Sequence, residues 1–117
     1  MGNERVLVVD DSPTAEATVS TLEDAGCRVT ADPSAADALV SLRSERIDAV
    51  VTELSLPDDD GIELLREIKS LYEAIPVVMY TGSGDELTAS LAIDAGVAAY
   101  IPKDDPAGPD RLVETIE

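Results

Sequence analysis

Asp48 to Gly61 reads DAVVTELSLPDDDG, and the rest of the chain is understood from this stretch. Ala49, Val50 and Val51 form an apolar run whose β-branched residues suit a strand buried on both faces of a sheet. The run ends on a carboxylate, Glu53, followed by Leu54-Ser55-Leu56-Pro57 and an acidic turn closed by Gly61. A charge at the end of a buried strand is costly unless water, a cation or a partner meets it. In an open α/β sheet that position faces the crevice where ligands bind. Glu53 is therefore the residue that the flanking sequence has to explain.

Outward from it, strand-like and helix-like runs alternate five times, the pattern of a parallel sheet covered by helices on both faces. The first strand is Arg5 to Val9, ending at Asp10 and Asp11. Ser12 is placed to cap the next helix, with Pro13 at its first position. Val19 and Leu22 face inward, and Gly26 ends that helix. Cys27 to Ala31 is a short, more polar strand expected at a sheet edge. The second helix covers about Pro33 to Arg46, with Ala35, Leu39 and Leu42 on its buried stripe. Gly61 opens a third helix with Ile62, Leu65, Ile68 and Leu71 inward. Pro76 to Tyr80 is the fourth strand, and Ser83 and Glu86 have capping-box spacing for the helix that ends near Gly96. Ala98 to Ile101 is the fifth strand, followed by Pro102-Lys103. The last helix starts near Pro109, with Leu112, Val113 and Ile116 inward, and stops abruptly at Glu117. That early stop suggests one domain cut from a longer protein.

Composition narrows the function. The 117 residues suit a single domain, 28% charged and 44% hydrophobic. The formal charge of -17 is spread along the chain and should repel nucleic acid phosphates, so no direct nucleic acid contact is expected. Only Lys69 and Lys103 are lysines, and Phe and Trp are absent. Such a surface is similar to that of proteins from salt-loaded (halophile) cytoplasm, where self-repulsion is screened. Cys27 is alone, which leaves no internal disulfide or thiolate zinc site and suits a small buried hydrophobe. There is no His. No apolar run approaches a membrane span, the N-terminus enters a strand without a signal peptide, and Val6 stands where a myristoylation site wants Ser or Thr. A cytoplasmic location is expected, with no membrane contact.

Four of the five strands feed a polar residue to their carboxyl ends: Asp10 and Asp11 after the first, Glu53 after the third, Thr81 after the fourth and Lys103 after the fifth. With those four strands side by side the five residues converge. Three carboxylates repel unless a cation sits among them, and oxygen-only ligands suit magnesium. A Lys and a hydroxyl opposite a metal suit a phosphoryl group. Taken singly, Asp10 and Asp11 read as acids at a helix N-terminus, Glu53 as a solvated strand-end charge and Lys103 as a surface lysine. Tyr80 reads as core. Asp58-Asp59-Asp60-Gly61 is similar to a calcium loop, but Leu56 occupies its first ligand position and excludes that reading.

Together, VLVVDDS, DAVVTELSLPDDDGIELL, VVMYTG and AYIPK resemble the receiver domain of two-component response regulators over essentially the whole chain. The resemblance implies a flavodoxin-like (CheY-like) α/β fold: a doubly wound five-stranded parallel sheet of order 2-1-3-4-5. It implies magnesium at Asp10, Asp11, Glu53 and the Ser55 carbonyl, phosphoryl contacts from Thr81 and Lys103, and a switching aromatic at Tyr100. It further implies a sensor histidine kinase or phosphotransfer protein upstream, and a downstream output domain or protein met by the helix 4–strand 5–helix 5 face. Such a domain is a switch rather than a metabolic enzyme.

Two positions depart from the family pattern. The phosphoacceptor Asp of the family lies four residues before a Pro and eight before a Gly. Counting back from Pro57 and from Gly61 both give Glu53. Asp104 replaces the Pro usual after the Lys, where a cis bond is otherwise common and would cost about 2.5–4 kcal/mol without Pro. One extra methylene displaces the Glu53 carboxylate by about 1.5 Å. Misplacement by about 1 Å can cost on the order of a hundredfold in rate. Glu53 is thus expected to impair phosphorylation, to mimic it or to lock one conformation and weaken magnesium binding. The competing expectations are residual phosphorylation on Glu53 or a nearby Asp, and a phosphorylation-independent interaction module (a pseudo-receiver). A magnesium-dependent phosphatase is disfavoured, because Asp10-Asp11-Ser12 lacks the DxD spacing and the chain lacks the length for a cap.

Overall fold

A computed structural model describes residues 3–117. The reading of Met1 and Gly2 at the amino terminus lies outside the described residues. The elements follow in the order β1 (Arg5–Val9), α1 (Ala15–Asp24), β2 (Arg28–Asp32), α2 (Ala35–Ser44), β3 (Ala49–Thr52), α3 (Gly61–Leu71), β4 (Val77–Thr81), α4 (Glu86–Asp94), β5 (Ala99–Pro102) and α5 (Gly108–Ile116). The strands form one parallel sheet of order β2-β1-β3-β4-β5, as the sequence implies.

Alternation along each strand explains the unbroken apolar runs, because both faces of the sheet are covered. Leu7, Val9, Val50, Val77 and Met79 meet Ala38, Leu42, Leu64, Leu65 and Ile68 of α2 and α3. Val6, Val8, Val51, Val78 and Ile101 point the other way, onto Leu22 of α1 and Leu112 of α5. β3 is the centre: it pairs with β1 on one side and β4 on the other, and all four of its residues are buried. β2 lies at an edge, which accounts for its mixed burial.

The acidic turn after β3 fixes neighbouring helices. Asp58 accepts from the Ala35 and Ala36 amides (both 2.9 Å) at the start of α2, and these amides hold its carboxyl below the usual carboxylate range. Asp60 caps α3 by accepting from the Glu63 amide at 2.8 Å. Gly61 is demanded by close approach. A Cβ there would lie 2.4 Å from the Glu53 carbonyl oxygen, and its amide donates to the Leu54 carbonyl at 2.6 Å.

Several local expectations are corrected. α1 begins at Ala15, and neither Ser12 nor Thr14 caps it by a side chain, because both hydroxyls turn toward Lys103. α4 is capped by Asp85, which accepts from the Thr88 amide, whereas Ser83 is occupied with Thr81. Leu71 is 62% exposed at the last turn of α3, and Leu64, Tyr72 and Ile75 fill the core there instead. No peptide bond among the described residues is cis, the one before Asp104 included.

Candidate functional site

Backbone pairing carries two of the site residues into place. The Glu53 amide donates to the Val9 carbonyl at 2.9 Å, which extends the β1–β3 ladder and sets Glu53 beside Asp10. The Lys103 amide donates to the Thr81 carbonyl at 2.9 Å, which continues β5 alongside β4. Sheet order then does the rest, because strands adjacent in space bring residues distant in sequence to one edge.

At that edge Lys103 Nζ lies 2.7 Å from Asp10 Oδ2 and 3.0 Å from Glu53 Oε2. The three side chains are nearly dry, with exposures of 12% for Lys103, 4% for Asp10 and 7% for Glu53. Burial alone would lower the Lys103 pKa, but its hydrogen bonds and charge contacts with Asp10 and Glu53 outweigh this and hold the ammonium above its ordinary value. The remaining carboxylate oxygens go to backbone. Asp10 Oδ1 accepts from the Ser12 amide at 2.7 Å, and Glu53 Oε1 accepts from the Leu54 amide at 2.6 Å. The Gly82 amide, just past Thr81, donates to Glu53 Oε2 at 3.4 Å. Tyr80, on the other side of the sheet, places its ring centroid 5.8 Å from Lys103 Nζ.

Not every expected residue joins this cluster. Thr81 is buried at the rim, and its hydroxyl accepts from the Ser83 amide at 3.1 Å rather than meeting Glu53. Asp11 is exposed and makes no hydrogen bond or ion pair among the described residues. Ser55 is exposed too, its hydroxyl 3.2 Å from that of Ser83 across the mouth of the site. Tyr100 is half-buried on the α3 side of the sheet, tucked under the β4–α4 loop. A Cβ on Gly84 would fall 1.4 Å from its hydroxyl and 3.2 Å from the Thr81 methyl. Burial, then the negative charges of Asp85 and Glu53, raise the Tyr100 phenol pKa. Sequence reasoning missed Ser12 and Thr14 as Lys103 partners, the Gly82 amide and the space left by Gly84. Only the Gly-Ser-Gly run after Thr81 signalled a close backbone approach.

The oxygen-only donors have the right chemistry for magnesium. Their arrangement does not fit a divalent ion, however. Each buried carboxylate spends one oxygen on Lys103 and the other on a backbone amide, and no three acidic residues among those described are grouped to hold a metal.

Comparison with known proteins agrees with this geometry. The response regulator receiver domain model matches residues 6–117. The C4-dicarboxylate transport transcriptional regulatory protein DctD of Rhizobium meliloti is 36% identical over 109 residues, 93% of this chain and 23% of that protein. The transcriptional regulatory protein ZraR of Salmonella typhimurium is 36% identical over 118 residues, 99% of this chain and 26% of that protein. This chain thus spans about a quarter of the length of these relatives. A CheY-like receiver domain protein from Methanospirillum hungatei superimposes with a TM-score of 0.86 at 29% identity, over 98% of this chain and 91% of that one. With the sheet order, the strand-end cluster and these matches in agreement, the chain belongs to the response regulator receiver domain family.

Proposed function

We propose that this chain is a receiver whose phosphoacceptor position is filled by Glu53, so that phosphoryl transfer is impaired and the pocket is held in one arrangement without phosphate. Receiver domains bind magnesium at the phosphorylation site and interact with histidine kinases and output domains. The observation that carries the reading is the Glu53 carboxylate seated on Lys103 Nζ at 3.0 Å with the Gly82 and Leu54 amides around it. Those are N–H donors that a phosphoryl group on a shorter Asp would need. The imitation is partial, because the Thr81 hydroxyl stays with Ser83. A nucleophilic oxygen bound by an ammonium and an amide is also a poor attacking group, and in-line geometry tolerates displacements of only about 1 Å before rates fall on the order of a hundredfold. Asp10, Asp11 and the Ser55 carbonyl are retained as family donors for magnesium, but with Lys103 on Asp10 and Glu53 that ion binds weakly.

The upstream partner in this reading is a sensor histidine kinase or phosphotransfer protein that docks without efficient transfer. The output face is α4–β5–α5, supported by Leu87, Leu91 and Ile93, which stand exposed on α4. No metabolite is turned over. The working environment is a salt-rich cytoplasm, supported by the formal charge of -17.

Intact-mass spectrometry after incubation with magnesium and a small phosphodonor in high salt tests the central reading. Wild type should gain no mass, while Glu53→Asp gains one phosphoryl group. Uptake by wild type at the rate of the variant contradicts it, and no uptake by either selects the plain interaction module. The switching role of Tyr100 is checked by Gly84→Ala, whose methyl needs the space of the phenol. The ring should swing outward, seen as loss of contacts between Tyr100 and Thr81 in nuclear Overhauser spectra. An unmoved ring would show that the loop yields instead. The salt reading predicts a melting temperature that climbs steadily between about 0.1 and 2 M KCl, past the range where the Debye length has already fallen to a few Å. A plateau by about 0.3 M would mark ordinary screening of an acidic domain.

A further inference from the structure

The Lys103 ammonium is enclosed by more than its two carboxylates. Thr14 Oγ1 lies 2.8 Å from Nζ and Ser12 Oγ 3.2 Å, alongside Asp10 Oδ2 at 2.7 Å and Glu53 Oε2 at 3.0 Å. Four oxygens from the end of β1, the turn after it and the end of β3 thus surround one cation carried in from β5. The Ser12 and Thr14 hydroxyls are also 3.0 Å apart, so each supports the other's orientation. An ammonium has three protons, and all of them find acceptors here. The cost is visible in α1, which starts two residues later than its sequence suggests and has no side-chain cap. Two hydroxyls suited to capping serve the lysine instead.

We infer that the Lys103 ammonium is the resident cation of this pocket, with Ser12 and Thr14 as its positioning residues, and that by holding both buried carboxylates it closes the site to a divalent ion. The inference rests on the reading of Glu53 given above, because Glu53 reaches Lys103 with the acceptor-position carboxylate. A divalent ion binding Asp10 and Glu53 has to pull both from an ammonium that water barely reaches. In a medium of low dielectric, that exchange is opposed by both charge pairs at once. Asp11, exposed and without a polar partner among the described residues, is the one acid of the three left to water.

The test uses Mn2+ as a paramagnetic probe in 15N–1H spectra of the protein in 1 M KCl, with no phosphodonor present. The salt suppresses binding to the general acidic surface. In wild type, the amides of Asp10, Ser12 and Leu54 should broaden no earlier than those of the exposed run Asp58 to Asp60. In Lys103→Met the same three amides should broaden selectively, at least about tenfold lower in Mn2+. Thr14→Val, which keeps the lysine and loosens its cage, should fall between the two, and it serves if Lys103→Met does not fold. Selective broadening in wild type at the concentration that suffices for Lys103→Met or Thr14→Val overturns the inference. Because no phosphoryl group is involved, a metal-binding wild type that still takes up no phosphate would remove this inference and leave the reading of Glu53 standing.

Discussion

A strand buried on both faces must deliver its terminal charge to a partner, and the rest of the molecule is arranged around how that is done. β3 is enclosed by β1, β4 and two helical layers, so Glu53 leaves it with little access to water. An ionised carboxylate in such a place is destabilising by several kcal/mol if unpaired. Lys103 meets it from β5, two strands away, and meets Asp10 from β1 at the same time. One ammonium therefore ties the carboxyl ends of three strands together. The Gly61 contact with the Glu53 carbonyl and the Asp58 bonds to α2 fix the loop that follows.

On the reading proposed above, that arrangement restricts the family's chemistry. The receiver site needs an acceptor oxygen free to attack, a lysine free to hold the incoming phosphoryl group and acids free to hold a metal. In this chain the same three groups are committed to one another. The longer Glu53 side chain reaches the lysine, the lysine reaches Asp10, and the β1–α1 turn gives its hydroxyls to the lysine instead of to α1. Tyr100 tucked beneath Gly84 and Thr81 turned toward Ser83 complete a pocket whose buried polar groups have partners inside the fold, with Asp11 left to water.

Much of this was legible in the sequence. The apolar runs marked β1, β3, β4 and β5 because parallel strands lack the polar alternation of half-exposed ones, the more polar β2 was read as an edge, and the run of strand-end residues pointed to one end of the sheet. Asp10, Glu53 and Lys103 do meet there. What the sequence did not disclose depended on competition between partners. Ser12 and Ser83 carry good capping signals, and each is diverted by a nearer site group, Lys103 for one and Thr81 for the other. Leu71 keeps helical spacing but lies past the point where the core ends, so periodicity alone places it inward. Asp58 to Asp60 read as a charged turn, whereas two of the three cap helices, one of them from a distant segment. Residue type predicts what a side chain can bond, and tertiary proximity decides which bond it makes.

The claim that Glu53 and Lys103 lock the pocket to each other is most directly tested by a double-mutant cycle. Glu53→Gln, Lys103→Met and the double variant would be compared with wild type by denaturant unfolding at neutral pH. The account predicts that the two changes are strongly non-additive, with a coupling of about 1–3 kcal/mol, because Lys103→Met strands the Glu53 charge in a dry site, a cost that disappears when Glu53→Gln has already removed that charge. Glu53→Gln by itself leaves Lys103 paired with Asp10. A coupling below about 0.5 kcal/mol would contradict it, since independent sites add to within that amount and the two groups would then be solvated separately rather than paired.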